Sequence, residues 1–195
     1  MHYGVSDNDG ISPYYKAFVS QDIPGVGFVT VVGYIDEECT VELQQLWQSP
    51  FEGDTVGASS GLAKVGDVTQ AATGATSKSL MNSRLVWEGA NPLEFQLVVH
   101  FTAYSDAKRE VDDPIRYLSM MSSPELEENL PTGQVPQLAM LDLGRKLKAQ
   151  VYIKTVSYNF AAPKTKSGHW LNNTVTLNCS TDGAVNRSRI PQIFL

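Results

Sequence analysis

Residues 93 to 102 read LEFQLVVHFT, and the alternation in that run limits the fold more than any other feature of the chain. Leu93, Phe95, Leu97, Val99 and Phe101 fall on one side of an extended backbone, while Glu94, Gln96, Val98, His100 and Thr102 fall on the other. Successive strand side chains point to opposite faces, so one face must lie in a core and the other in water. Continued to residue 104, such a strand reaches about 40 Å at about 3.3 Å per residue, a length that suits the wall of a barrel.

A short helix is expected directly after it. Asp112 or Asp113 can cap its start, Pro114 fits its first position, and Ser122, Ser123 and Pro124 stop it. Between them Ile115, Leu118 and Met120 or Met121 recur at helical spacing. That stripe should pack on the apolar strand face in an α-on-β arrangement. The candidate core is therefore Phe95, Leu97, Val99 and Leu118.

Other strands are expected in GFVTVVGYIDE from Gly27, in VYIKTVSYNF, and in TVTLNCST, where Val175, Leu177 and Cys179 oppose Thr174, Thr176 and Asn178. The last two should pair across the turn-like APKTKSGHWLNN. Residues 84 to 87 and the strand from Leu93 are expected to form a hairpin through EGANP. TVELQQLW, from Thr40, suits either a bent strand or a short helix.

Composition agrees with a mainly β chain. Only 18% of the 195 residues are charged, and Gly, Ser, Thr and Val are plentiful. Residues 52–79 form a low-complexity stretch of Gly, Ala, Ser and Thr with almost no large apolar side chains, expected either to be a plain flexible loop or, as its low charge favours, to order against a neighbouring subunit. The end of the chain, from about residue 181 to 195, is a short tail whose apolar close is expected to dock within an assembly.

The formal charge of −6 argues against gripping nucleic acid by phosphate neutralisation. Cys39 and Cys179 lie far apart and are expected as free thiols. The first residues lack a signal-peptide pattern and no run approaches the roughly 20 apolar residues of a membrane span, so a protein made in the cytoplasm is expected. The sequons at Asn172, Asn178 and Asn186 then have no glycosylation role.

Catalytic signals are sparse. His2, His100 and His169 sit in separate regions, no nucleophile elbow or phosphate loop occurs, and the acidic runs at Asp36–Glu38 and around Glu125 read as solvated turns. Trp47, Trp87 and Trp170 suit core or interface anchors better than a sugar platform. The basic cluster Arg145, Lys146 and Lys148 reads as a surface or intersubunit contact.

Taken in order, a strand ending at Trp87, EGANP, LEFQLVVHFTAYSD, VDDPIRYLSMMSSP, the Pro-containing VPQLAMLDLGRKL, VYIKTVSYNF and a closing strand resemble the tail-tube-like domain of contractile phage baseplates. The likeness covers roughly residues 84 to 180 and points to the tube-initiator and baseplate-hub proteins between the central hub and the first tube ring. No LysM-like module of the kind some relatives carry is visible.

The resemblance implies one tail-tube-like domain over residues 1–195, a β-sandwich or half-barrel with one short packed helix. It implies six copies joined edge to edge in a ring, with hub and tube proteins as neighbours. DNA would pass without specific binding, and no catalysis, cofactor, metal or membrane would be involved. The protein would belong to the virion, assembled in the host cytoplasm. The polar residues Glu94, Gln96, His100 and Thr102 would then line the bore. Two other classes stay open: a carbohydrate-binding β-sandwich built on the tryptophans, and a hydrolase with dispersed carboxylates.

Overall fold

In the computed structural model, residues 1–6, 9–48, 84–126 and 133–194 are described. The low-complexity stretch at 52–79 lies outside them. Strands form at β1 (His2–Gly4), β2 (Lys16–Ile23), β3 (Gly27–Ile35), β4 (Thr40–Glu42), β5 (Gln45–Gln48), β6 (Val86–Ala90), β7 (Pro92–Thr102), β8 (Ala139–Leu143), β9 (Leu147–Tyr158) and β10 (Asn172–Ala184). The helices are α1 (Asp113–Ser122) and the short α2 (Ile190–Ile193). The chain divides into two compact units, one of Met1–Leu43 with Pro92–Leu195, the other of Gln44–Asn91.

In the larger unit β3, β2, β8, β9, β10 and β7 pair in turn, each antiparallel to the next. β7 then returns to β3, with Tyr34 opposite His100 and Ile35 opposite Val99, and this closes a six-stranded barrel. The expected sandwich or half-barrel is thus a full barrel, because the far end of β3 takes up the second edge of β7. The remaining edges carry β1, parallel to β3 at Thr30–Val32, and β4, antiparallel to β7 at Glu94–Gln96.

The alternation decides which side chains fill the barrel. Leu93, Phe95, Leu97, Val99 and Phe101 of β7 meet Val175, Leu177 and Cys179 of β10 in the interior, and Ile115, Leu118 and Met121 of α1 join the same cluster. Phe95, Leu97, Val99 and Leu118 are all buried; of the two methionines, Met121 points inward and Met120 outward. Val98, on the outer face of β7, is buried as well, and the Cys39 thiol bonds both its backbone N–H and its carbonyl. Both cysteines are free, and burial pushes the Cys179 thiol up to about 12 against a small opposing pull from Lys154.

Several elements differ from the sequence reading. β6 pairs with β5, not with β7, and Trp47 lies opposite Trp87. Only Asn91 separates β6 from β7, too little chain for a hairpin between them, and Asn91 is itself held to Gln44 through its backbone N–H and its side-chain amide. The segment from Thr40 becomes the two short strands β4 and β5. β2 gives no alternating signal because both its faces are covered, with Lys16, Phe18 and Ser20 outside and Ala17, Val19 and Ile23 inside. β8, expected as a link, forms a hairpin with β9 through Gly144 and Arg145, both at positive φ, closed by the Lys146 N–H to the Leu143 carbonyl. Two successive left-handed residues make the tight turn whose twist matches paired strands. The terminal segment folds back on its own barrel, where Ile193 packs against the core and Phe194 bridges Leu147.

Candidate functional site

The start of α1 shows how local chemistry is distributed. Asp112 does not cap it: the residue is itself helical, at the end of a π-turn over Lys108–Asp112, and makes no capping bond. Capping is moved upstream. Asp106 Oδ1 accepts from the Lys108 N–H at 3.1 Å and the Arg109 N–H at 3.4 Å, while Glu110 Oε2 accepts from the N–H groups of Tyr104, Ser105 and Asp106. This resembles a capping box with its acid one residue later than usual, across a turn closed by the Glu110 N–H to the Asp106 carbonyl. Burial raises the Glu110 carboxyl, but the hydrogen bonds from Ser105 and the backbone outweigh it and hold it below the usual carboxylate range.

Asp112, released from capping, ties down the β9–β10 loop. Its carboxylate pairs with His169 Nδ1 and accepts the Trp170 N–H at 3.0 Å. The Trp170 ring meets Tyr158 and Phe160 edge-on, and the Lys164 ammonium lies 4.2 Å from the Phe160 ring centre and 5.6 Å from that of Trp170. A tryptophan so surrounded lacks the open flat face that stacks on a sugar ring.

A second clamp fixes the N-terminal segment. Lys16 is 1% exposed, and its ammonium donates to Asp9 Oδ1 at 2.8 Å and to the Ser6 carbonyl at 2.9 Å. The Tyr34 hydroxyl donates to the other Asp9 oxygen at 2.6 Å. Burial raises the Asp9 carboxyl, yet the bonds from Lys16, Tyr34 and the Ile11 N–H bring it below its ordinary value; burial and the same carboxylate drive the Tyr34 hydroxyl up. Asp9, Ile11 and Tyr34 border a cleft of about 850 Å³. Both Asp9 oxygens are engaged, so the clamp holds the chain and offers no free base.

The outer wall of β7, β10 and β9 is of another kind. His100 faces Thr174, Gln96 faces Asn178 and Glu94 faces Ser180 across the β7–β10 ladder. The His100 ring lies between two hydroxyls, Nδ1 3.1 Å from Thr174 and Nε2 2.9 Å from Thr102. Asn178 donates to Thr155 at 2.8 Å, and Glu94 pairs with Lys154 at 2.7 Å, both half-exposed. The four polar residues singled out from the sequence thus lie on one face of one strand. They form a mat of hydroxyls and amides in which Glu94 is matched by the Lys154 ammonium, while exposed Glu42 of β4 lies directly opposite Glu94 in the ladder.

The smaller unit contributes the opposite surface chemistry. Every residue of β5 is exposed, as are Val86, Trp87 and Glu88 of β6. Trp47 and Trp87 are 55% and 53% exposed, joined by Leu46, Leu85 and Val86. The Trp87 indole N–H donates to Gln45 at 3.0 Å. Two large aromatic side chains exposed side by side suit an interaction surface.

Among the described residues no group of three His, Cys, Asp or Glu side chains could hold a metal, and His2, His100 and His169 remain in separate places. No described helix is long and apolar enough to cross a membrane. The Asp112–His169 tie escaped the sequence reading because it joins residues 57 apart in the chain, and the Asp9–Lys16 clamp because nothing in the sequence marks Lys16 as buried. The Asp106–Glu110 box was detectable, since an acid four residues after an Asp at a helix start is a capping signal once a π-turn is allowed. No protein-family model matches the chain, and no curated protein matches it in sequence.

Proposed function

We propose that the protein is a structural subunit of a contractile phage tail, six copies of which form a ring at the junction of baseplate and tail tube, initiate the tube and surround the DNA channel. The observation that carries this reading is the apolar hairpin of β5 and β6. Among the described residues β5 pairs with β6 alone, and the pair leaves two facing tryptophans more than half exposed, a surface suited to being covered by another chain.

The closed barrel supports the same reading from the other side. Its wall over β7 and β10 is polar, with Lys154 paired to Glu94 and Glu42 beside that pair. A bore lined by this part of the wall offers phosphates no unpaired cation, which suits the passage of DNA without specific binding. The partners are then further copies of the chain and the adjoining hub and tube proteins, with assembly in the host cytoplasm and a final place in the virion.

The test is assembly of the purified protein, alone and co-expressed with candidate hub and tube subunits, followed by sedimentation and negative-stain microscopy. Six-fold rings that disappear in the Trp47→Ser, Trp87→Ser double variant are expected. A protein that stays monomeric in every combination, or assembles equally well without the tryptophans, contradicts the reading.

A further inference from the structure

Around the barrel from the polar face of β7 and β10, over β2, β3, β8 and the first residues of β9, lies a surface of different character. β2 is three strands from β10 in both directions around the barrel, through β8 and β9 one way and through β3 and β7 the other. The outward side chains of β2 and its neighbours enclose an open groove of about 590 Å³ that includes Phe18, Phe28, Met140, Arg145 and Lys148.

Its charges are unevenly satisfied. Asp142 lies directly opposite Lys148 in the β8–β9 ladder, but both of its oxygens are taken by Arg145, Oδ2 by the guanidinium at 2.7 Å and Oδ1 by the backbone N–H at 3.1 Å. The Arg145 guanidinium also covers the Phe18 ring at 4.2 Å. Lys16 is neutralised by Asp9. Lys148 and neighbouring Lys146 are exposed and have no ion-pair partner among the described residues. Within the same groove Phe28 is 61% exposed, although it sits in a regular strand whose alternate residues are buried.

We infer that this groove is a docking surface for an acidic segment of a partner protein that carries a large apolar side chain, with Lys148 and Lys146 pairing its carboxylates and Phe28 packing its apolar group. Charge complementarity selects the partner's sign in a chain that is otherwise net acidic at −6. A protein segment is favoured over nucleic acid because the groove keeps the Asp142 carboxylate and an apolar floor, which suit a side chain and not a phosphate backbone. Only the outward direction of the groove in a ring rests on the proposed function; the binding itself does not.

The test uses the purified full chain and a fluorescein-labelled peptide of glutamates around one phenylalanine, read by anisotropy at low salt. Controls are the same peptide with alanine for phenylalanine, its lysine counterpart and a single-stranded oligothymidylate. Binding of the first peptide is expected, weakened about tenfold by Lys148→Glu, as loss of one charge-assisted contact implies. It is also expected to weaken with Phe28→Ser, to be unmoved by Lys166→Glu on the β9–β10 loop, and to fall with added salt. The two groove substitutions are at exposed positions, and circular dichroism verifies their fold. No binding, binding indifferent to Lys148 and Phe28, or tighter binding of the oligonucleotide overturns the inference. Ring formation is scored separately, so loss of one result leaves the other standing.

Discussion

Asp9 is the residue through which acid should reach the fold. Its carboxyl is held below the ordinary Asp value in the folded chain, so its contribution is fully present above the unfolded value near pH 4 and is lost as pH falls through the folded value. Stability measured by urea unfolding should therefore be level near neutrality and decline below about pH 4, helped by Glu110, which is depressed in the same direction. Tyr34→Phe removes the 2.6 Å bond to Asp9. It should cost about 1 kcal/mol at neutral pH and make the acid decline shallower, starting at the same pH but levelling off at a higher one; an unchanged acid limb would show that the bond does not hold Asp9. Asp9→Asn leaves the buried Lys16 ammonium without its counter-charge, and a loss near the lower end of the roughly 3–5 kcal/mol of a broken buried pair is expected, since Asp9 keeps some access to water. None of this was legible in the sequence. A lysine in KAFVSQDI reads as a surface residue, and only the fold, by bringing Asp9 over it, makes burial tolerable. Phe95 is the contrary case, since strict alternation alone placed it in the core. Phe95→Ala should cost about 3–5 kcal/mol in the same unfolding experiment, and an unaltered transition would contradict its position.

Strands with one wet face and a helix with one apolar stripe could be read directly. β7, β9, β10 and α1 are such elements, and their pairing across the β9–β10 loop followed from pattern and order. β2 and β8 could not be read, because a strand covered on both sides lacks alternation. The partner of β6 was misjudged for a different reason: turn-forming residues in EGANP suggested a β6–β7 hairpin, whereas the chain has no residue to spare there and β6 turns to β5. The consequence is functional, because a β6–β7 hairpin would have left Trp47 unpaired, and the observed one presents both tryptophans together. Replacing both by serine should change the stability of the isolated chain by no more than about 0.5 kcal/mol, as exposed substitutions do. Assembly measured by sedimentation should fall sharply. A large loss of monomer stability would mean that the tryptophans are covered within one chain and that the hairpin is no docking element. The β8–β9 turn makes a further element-scale prediction. Gly144 has φ of 55°, and a Cβ there would lie 2.6 Å from the Tyr14 carbonyl oxygen. Gly144→Val should therefore destabilise by more than the roughly 1–2 kcal/mol of the left-handed conformation alone, detectable as an earlier urea midpoint, while Gly183→Ala, with open space around it, serves as the mild comparison.

On the scale of the whole molecule the account rests on which side of the barrel faces the channel. The sequence supplied the polar face of one strand; the closed barrel extends it over β10 and sets β2, with the groove that reaches to Lys148 of β9, three strands away. Closure itself could not be read from the chain, since it depends on β3 meeting β7 through only two residue pairs, Tyr34–His100 and Ile35–Val99. If the polar wall lines the bore, Glu94→Lys with Gln96→Lys should leave monomer stability within about 0.5 kcal/mol and allow normal tails to assemble. DNA delivery should nonetheless be impaired, because rings of new positive charge hold phosphates, and the defect should lessen with salt. Delivery at the wild-type rate would argue against a bore at this face. The most direct measurement is a cryo-electron microscopy map of the assembled particle, read for the position of β7. The account predicts a six-fold ring with Glu94, Gln96, His100 and Thr102 on the channel surface and the β5–β6 hairpin covered by a neighbouring chain; a map that sets Glu94 against another protein, or leaves Trp47 and Trp87 in solvent, contradicts it.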